Sequence, residues 1–443
     1  MAKKSKNAAQ GFGAKSNQLT KKLMYTLFFI ALYRVGVHIP IPGVDTQALR
    51  HFFESQGGNL FGMFNMFTGG ALERFSVVAL GVMPYISASI IAQLLTAVMP
   101  ALDQLQKEGE AGRKKVTQYT RYGTILLAVV QGLMIARGLQ SQSAAGSSLV
   151  LDGGSTSWLL MSALSLTAGT AFVMWLGEQI TERGVGNGIS LIIMAGIIAG
   201  LPGIIRSTYS SVNAAEMELF KVLFIITVIL ITTAGVVFFE QASRRIPIQY
   251  AKRQVGNRVY GGQASHLPMR INSSGVIPPI FASSLLQFPT TVAQFTEGTI
   301  FSDIMQMLIN PGGWLYNVIY ALLVIFFAFF YTSITFKPDD IAENLKKNGG
   351  YIPGIRPGVR TSEYLQKISD RLTCSGSLYL AFICVFPVVL MNKFNIPFYF
   401  GGTSLLIVVG VALDTFRQVE AHLYQMSYDN FLKKNPKARG RPA

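Results

Sequence analysis

Residues 222–239 read VLFIITVILITTAGVVFF, a stretch without a single charged side chain. An α-helix rises 1.5 Å per residue, so this stretch would form a helix about 27 Å long. The hydrocarbon core of a bilayer is about 30 Å thick, and an uncharged run of this length is typical of a membrane span. The stretch therefore predicts a transmembrane helix.

The composition of the whole chain agrees with this prediction. Of 443 residues, 50% are hydrophobic and 14% are charged, against roughly 25% charged in an ordinary soluble protein. Mean hydropathy is +0.39. Ten predicted spans lie near 23–40, 76–99, 122–136, 158–177, 189–205, 222–239, 271–295, 315–336, 372–391 and 398–413. The sequence predicts an all-α integral membrane protein with ten transmembrane helices.

The basic residues predict how these spans are oriented. Of 38 Lys and Arg residues, 31 fall in the tails 1–22 and 414–443 and in the loops that follow spans 2, 4, 6 and 8. Short basic loops resist translocation and stay in the cytoplasm, so both termini are predicted to be cytoplasmic. The net charge of +16 then reflects topology rather than nucleic-acid binding.

Three segments depart from a plain pattern of spans and short links. Loops 241–270 and 337–371 are long enough to have structure of their own, and Gly256-Asn257 in the first loop is a hairpin-turn signal. Residues 60–71, LFGMFNMFTGGA, are apolar but too short to span a bilayer. They predict either a re-entrant, pore-plugging segment or an interfacial helix on the outer leaflet.

Signatures of catalysis do not occur in the sequence. There is no HExxH, GxSxG or Walker sequence, and the four histidines lie in different loops. Cys374 and Cys384 are ten residues apart in one apolar segment, too far for a disulfide on a helix. The glycine-rich 184–188 lacks dinucleotide-binding spacing, so it predicts a tight turn and a helix start. No enzyme activity, metal or cofactor is expected.

Charged residues in the predicted spans are rare, which disfavours an ion-coupled permease. Arg34 is the one clear charge inside a span, near the outer end of span 1, where it is expected to be an anchor or a helix-packing partner. Spans 2 and 7 instead combine Ser, Thr, Gln and Pro. Proline frees backbone groups, so these spans predict a hydrated interior or a movable interface; ordinary packing of small and polar residues is the alternative.

Several longer motifs resemble one known family. They are FIALYRVGVHIPIPG at 29–43, FNMFTGGAL at 64–72, GVMPYISASI at 81–90, KEGEAGR at 107–113, LGEQITERGVGNGIS at 176–190, YIPGIRPG at 351–358 and FYFGGTSLLIVV at 398–409. Together they resemble the bacterial branch of the SecY/Sec61 family of protein-conducting channels over essentially the whole chain. The resemblance implies two inverted, pseudo-symmetric halves around a central pore, 23–215 with spans 1–5 and 216–413 with spans 6–10.

The resemblance also implies four sets of functional residues. The pore ring corresponds to Val82, Ile86, Ile189, Ile193, Ile280 and Ile407. The plug, within 60–75, corresponds to Phe64, Asn65, Met66, Phe67, Thr68, Gly69 and Gly70. The lateral gate between spans 2 and 7 corresponds to Ser87, Gln93, Ser283 and Gln287. The surface that docks a motor or a ribosome corresponds to Arg244, Arg245, Lys252, Arg253, Arg258 and Arg356.

A ring of this kind suits the passage of polypeptide. Branched apolar side chains dewet against ions when the pore is empty and carry no fixed charge that would trap a passing chain. Val82 departs from the family, in which many bacterial members have Ile, and should widen the ring slightly. Residues 82 and 86 are spaced i, i+4, as are 189 and 193, so each pair shares one helix face.

The implied function is translocation of unfolded secretory polypeptides across the bacterial cytoplasmic membrane and lateral release of transmembrane segments into lipid. The implied partners are SecE and SecG, the SecA motor ATPase, the ribosome, preproteins with signal sequences, nascent membrane proteins, the bilayer, and further SecDF and YidC. A ten-helix solute permease is the main alternative, but it predicts converging polar groups at mid-membrane. An intramembrane enzyme would need paired catalytic residues within the spans.

Overall fold

The structure is a computed structural model that describes residues 2–55, 65, 67–141, 143–144, 147–150, 155–213, 218–250, 253–255, 258–260, 265–293, 313–394 and 401–434. The helices up to residue 213 are α1 (Ala2–Val37), α2 (Thr46–Ser55), α3 (Met83–Val98), α4 (Pro100–Lys107), α5 (Glu110–Ser141), α6 (Thr156–Arg183) and α7 (Gly188–Asn213). The later helices are α8 (Leu219–Gln241), α9 (Ile277–Ala293), α10 (Trp314–Thr335), α11 (Pro338–Lys347), α12 (Val359–Phe394) and α13 (Gly402–Lys434). The strands are β1 (Ser143–Ala144), β2 (Ser147–Ser148), β3 (Ser243–Tyr250), β4 (Arg253–Val255), β5 (Arg258–Tyr260), β6 (Ser265–Arg270) and β7 (Gly350–Tyr351).

Each predicted span coincides with a helix. Among the described residues, seven helices are long and apolar enough to cross a membrane, and they include α5, α6, α7, α8, α10, α12 and α13. Helices α3 and α9 are apolar but shorter, and α1 contains the first predicted span. The all-α membrane fold with ten spans that the sequence predicts is therefore present.

Two spans begin later than the sequence predicts. Residue 76 is the predicted start of span 2, but α3 begins at Met83 and the residues before it form turns. Gly81 has a φ of +56°, a left-handed conformation that interrupts a helix. Helix α9 likewise begins inside its predicted span. Both helices have proline in their first turn, where no intrahelical N–H bond is lost, so Pro84, Pro278 and Pro279 do not free backbone groups. Pro289 lies inside α9, where a proline does leave a backbone carbonyl without its helical partner, as the sequence predicts for span 7.

The chain divides into two compact units. The first comprises Met1–Leu95, Ala101–Ser210 and Ile407–Ala443, and the second comprises Thr96–Pro100 and Ser211–Leu406. The inverted halves at 23–215 and 216–413 are defined by symmetry rather than by the density of contacts. They therefore stay a prediction.

The core of the first unit lies between α6, its neighbours α1 and α5, and the loops at one end of these helices. Trp158 of α6 is buried, stacks on Phe75 with ring centroids 6.2 Å apart, and donates its indole N–H to the Pro42 carbonyl oxygen at 3.2 Å. At the other end, Arg121 of α5 forms an ion pair with Glu178 of α6 at 2.7 Å. These contacts fix both ends of the helix group.

The helices of the second unit are organised around α10, which packs against α9 and α12. Phe281 of α9 meets Phe327 of α10 edge to face, with centroids 5.8 Å apart. Before α9, Asn272 donates to the Glu240 carboxylate at 2.6 Å and to the Gly275 carbonyl oxygen at 3.1 Å. This buried network ties the start of α9 to the end of α8.

The two long loops of the second unit share one sheet. Its strand order is β6-β3-β7, all antiparallel, and β7 comes from the loop after span 8. The predicted antiparallel pairing is also present: β4 pairs with β5, and Val255 is the partner of Arg258. The predicted turn residues Gly256 and Asn257 lie outside the described residues. The side chains of Ile246, Leu365 and Ile368 pack together beneath this sheet. The loops have structure of their own, as predicted.

Candidate functional site

The start of α7 positions two pore-ring residues. Asn187 is the residue before the helix, and its side-chain oxygen accepts from the N–H groups of Ile189 at 3.1 Å and Ser190 at 3.4 Å, as a helix N-cap does. A Cβ at Gly188 would lie 2.0 Å from the Gly177 carbonyl oxygen, so only glycine allows α6 and α7 to approach this closely. The glycine-rich segment is therefore a turn and helix start, as predicted, and it fixes the first turn of α7.

The pore-ring residues of the first unit are mostly buried. Val82, Ile86 and Ile193 are each 6% exposed, and Ile407 is buried in α13. Val82 is the residue before α3, and its carbonyl oxygen accepts from the Ile86 N–H at 3.0 Å, one helical turn later. Ile189 is half-buried one turn before Ile193 on α7. Each predicted pair therefore lies on one helix face.

Ile280, the remaining pore-ring residue, belongs to the second unit. It is half-buried in the first turn of α9. Its carbonyl oxygen accepts from the Ser283 hydroxyl at 2.9 Å. A ring of all six residues stays a prediction.

The described part of the plug segment is packed inside the first unit. Phe67 and Thr68 are 6% and 5% exposed. A Cβ at Gly196 of α7 would lie 2.7 Å from the Phe67 carbonyl oxygen, so the plug backbone rests directly on that helix. Such burial favours the re-entrant interpretation over a helix lying on the outer leaflet. Phe64 and Met66 lie outside the described residues.

The plug segment is also held by side chains of α1. The Tyr33 hydroxyl donates to the Thr68 carbonyl oxygen at 3.0 Å, and Arg34 Nη1 donates to the Gly69 carbonyl oxygen at 2.9 Å. The sequence predicts Arg34 to be an anchor or a packing partner, and the contact to Gly69 fits the second role. Sequence reasoning missed Tyr33 and the acceptor of Arg34. The sequence signal for this contact was Arg34 itself, a charged residue in a predicted span with no charged partner nearby in the sequence.

Two of the predicted gate residues, Gln93 and Ser283, make hydrogen bonds within their own helices. Gln93 Nε2 lies 3.4 Å from the Ser89 hydroxyl on α3, and Ser87 is half-buried on the same helix. Ser283 is buried and bonds within α9. The side chain of Gln287 lies outside the described part of the chain. Polar groups that are satisfied locally do not depend on a partner across an interface, which suits a separable seam.

Two of the predicted docking arginines are exposed on β3. Arg244 and Arg245 are exposed on β3, while Ile246 and Ile248 of the same strand are buried. Arg253 and Arg258 belong to the β4–β5 hairpin, and Lys252 lies outside the described residues. On β3 the side chain of Arg245 lies on the face opposite the buried Ile246 and Ile248, and Arg244 is exposed near the start of the strand. These cationic side chains can attract an anionic partner.

Arg356 lies at the mouth of a cavity of about 420 Å³ in the second unit. Its carbonyl oxygen accepts from the Thr361 hydroxyl at 2.9 Å, and Gly354 and Gly358 on either side have φ of +80° and +105°. These bonds and turns present its side chain to solvent. The cavity is lined by Gly354, Ile355, Arg356, Arg360, Glu363, Tyr364 and Lys367.

No metal site is formed within the ranges that the structure describes, where no three His, Cys, Asp or Glu side chains are grouped closely enough. The two cysteines are free thiols: Cys374 is exposed and Cys384 is buried. The features described above are branched apolar side chains, a plug segment packed against α7 and loops with exposed arginines. They do not resemble a reaction centre.

Comparison with known proteins identifies the family. The family model for SecY matches residues 76–416. Protein translocase subunit SecY of Vibrio cholerae serotype O1 is 49% identical over 432 residues, covering 96% of both chains. A solved structure described as showing that the plug domain of the SecY protein stabilises the closed state of the translocation channel has a TM-score of 0.66 at 19% identity, covering 92% of this chain and 93% of the other.

A second solved structure has the same fold. Sec61 in the canine ribosome-channel complex from the endoplasmic reticulum has a TM-score of 0.63 at 18% identity, covering 92% of this chain and 94% of the other. The sequence match covers almost the full length, and the fold matches independently. This chain belongs to the SecY family.

Proposed function

We propose that this protein is the channel subunit of a protein translocase, which carries unfolded secretory polypeptides across a bacterial cytoplasmic membrane. The observation that carries the proposal is the plug segment, which rests on α7 at Gly196, one turn from the pore-ring residue Ile193. A buried, glycine-seated segment beside branched apolar side chains suits a closed polypeptide pore. The relatives are translocase subunits rather than enzymes, so the energy comes from outside the chain.

The working assembly includes other proteins. The matching Sec61 structure is a ribosome-channel complex, which supports a translating ribosome as one partner of this chain. The exposed arginines on β3 and at Arg356 supply the positive charge that ribosomal RNA or an acidic motor surface would bind. We include SecE, SecG, SecA, preproteins, nascent membrane proteins, SecDF and YidC among the proposed partners. We also propose that both termini are cytoplasmic, which the concentration of Lys and Arg in the tails and alternate loops supports.

Lateral release into lipid is the second part of the proposal. It assigns the gate to α3 and α9, with the seam residues Ser87, Gln93, Ser283 and Gln287. These helices are the two short apolar helices of the described chain, and both begin with proline in the first turn. A seam of locally bonded polar groups loses less on hydration than a fully apolar one. The solute-permease alternative is less well supported, because the sequence has few charged residues within its predicted spans.

Photo-crosslinking to a stalled secretory nascent chain tests the proposed path. Probes are placed at Ile86, Ile193 and Ile280, and matched control probes at Leu230 of α8 and Phe382 of α12, whose side chains are exposed on apolar helices. Adducts at the first three positions and none at the controls are expected. Absence of adducts while a competent chain is bound would move the path elsewhere and favour the permease.

A further inference from the structure

We infer that Tyr33 and Arg34 form a latch that holds the plug closed, and that the strength of this latch sets how readily the idle channel opens. The inference rests on the proposed channel function. It assigns a gating role to two residues of α1 that belong neither to the pore ring nor to the plug. The latch consists of the neutral Tyr33 hydroxyl and the charged Arg34 guanidinium, which donate hydrogen bonds to successive backbone carbonyl groups of the plug.

The geometry of the two hydrogen bonds carries the inference. Tyr33 is 1% exposed, and its hydroxyl donates to the Thr68 carbonyl oxygen at 3.0 Å. Arg34 Nη1 donates to the next carbonyl oxygen, that of Gly69, at 2.9 Å. Adjacent residues on a helix project about 100° apart. The two donors therefore reach the plug from different directions and restrain both its position and its rotation.

The contact between the plug and α7 is made by glycine backbone. Gly69 and Gly196 meet backbone to backbone, since a Cβ at Gly69 would lie 2.9 Å from the Gly196 Cα. Gly69 has a φ of +67°, which other residues rarely adopt. Because neither glycine has a side chain, the two backbones cannot interdigitate. They can therefore separate without a change of side-chain rotamer. The directional hydrogen bonds to the carbonyl groups of Thr68 and Gly69 come from α1.

The plug loop keeps its shape through bonds of its own. The Asn65 side chain donates to the Glu73 carboxylate at 3.0 Å and accepts from the Glu73 N–H at 3.0 Å. The Asn65 carbonyl oxygen accepts from the Gly70 N–H at 2.8 Å and the Thr68 hydroxyl at 3.1 Å. Since these bonds lie within the loop, release of the latch frees the loop as one body instead of unfolding it.

The acceptor of the Arg34 hydrogen bond is the neutral Gly69 carbonyl oxygen, which makes the latch reversible. A neutral carbonyl binds a guanidinium more weakly than a carboxylate does, because only one partner of the pair is charged. When the loop leaves, the guanidinium can donate to water in the opened channel, so no buried charge is stranded. An Arg–carboxylate pair at this position would hold the plug too strongly for a channel that opens in each cycle.

The test measures the resting leak of small anions from proteoliposomes that contain the full channel complex. Arg34→Gln should raise the leak about tenfold, because loss of one charge-assisted hydrogen bond shifts the open-to-closed ratio by about that factor. Tyr33→Phe should raise it about threefold, and Arg34→Lys should restore part of the effect. Arg206→Gln is the matched control, because Arg206 is exposed on α7 away from the plug.

The outcomes separate the latch from the proposed function. Translocation of a normal client is measured in the same vesicles, and a wild-type protein that fails to translocate contradicts the proposed function. Normal translocation with equal leak in wild type, R34Q and Y33F overturns the latch. An equal rise in R34Q and R206Q also overturns it, because the effect then lacks specificity. If R34Q does not accumulate, Y33F decides, since it removes a single oxygen atom.

Discussion

Gly196→Ala should open the idle channel by destabilising its closed state. A Cβ at this position would lie 2.7 Å from the Phe67 carbonyl oxygen and 3.3 Å from the Gly69 N–H nitrogen. Ordinary carbon contacts begin near 3.4 Å, so the plug must shift by about 0.5–0.7 Å away from α7. Overpacking of this kind costs about 1–3 kcal/mol, and here the cost falls on the closed state alone.

The expected effect on gating follows from that energy. A penalty of about 1–3 kcal/mol on the closed state raises the open-to-closed ratio about 5- to 150-fold. Alanine is favoured over glycine within a helix by up to about 1 kcal/mol, and that gain applies to the open and closed states alike. Because the closed state is the resting state of the channel, the remaining penalty also lowers the free energy of unfolding, so the melting temperature of G196A should fall slightly while its resting ion leak rises.

Gly203→Ala provides the matched control for this experiment. Gly203 lies on the same helix two turns later, and a Cβ there meets no atom within 4 Å. Both variants gain the same helix propensity, but only one disturbs the plug. Anion efflux from proteoliposomes and thermal unfolding are measured on both. Equal leak in G196A and G203A would refute the packing argument for the plug.

Three further changes probe other parts of the chain. Gly188→Ala would place a Cβ 2.0 Å from the Gly177 carbonyl oxygen, so we expect a loss of about 3 kcal/mol, seen as low yield and a lower melting temperature. Asn272→Ala should cost about 1–3 kcal/mol in thermal unfolding, because the Glu240 carboxylate loses a buried donor at 2.6 Å; an unchanged melting temperature would contradict this. Arg356→Glu should leave stability within about 0.5 kcal/mol but weaken binding of the motor or ribosome at least about tenfold in a sedimentation assay, and equal binding would rule out its docking role.

Much of the fold follows from the sequence because membrane spans have a strong signal. An uncharged run such as 222–239 has few alternatives to a transmembrane helix. The start of α3 is harder, since residues 76–82 are as apolar as a helix but form buried turns, and apolar composition alone does not separate the two. Gly81, whose left-handed φ interrupts the helix, lies so close to Thr68 that a Cβ would be 3.2 Å from Thr68 Cγ2, and this approach follows only from the folded chain.

The site could be predicted only in part, for a related reason. Helix spacing places Ile189 and Ile193 on one face, because that relation is local in sequence. The contacts of Arg34 with Gly69 and of β3 with β7 join residues about 35 and 100 positions apart. No local pattern encodes such pairings, since they depend on how distant elements meet. The pairing of β4 with β5 was predictable because Gly256-Asn257 is a turn signal in the sequence itself.

The shared sheet of the second unit has a mechanical consequence. Strand β3 is hydrogen-bonded to β7 on one edge and to β6 on the other, so the two long loops move together as one body. Strand β6 ends at Arg270, and only residues 271–276 separate it from α9. The Ile271 N–H is bonded to the Ala242 carbonyl oxygen, which stiffens this short connection. Torque applied to either loop by a bound partner therefore reaches the first turn of α9, where Ile280 lies.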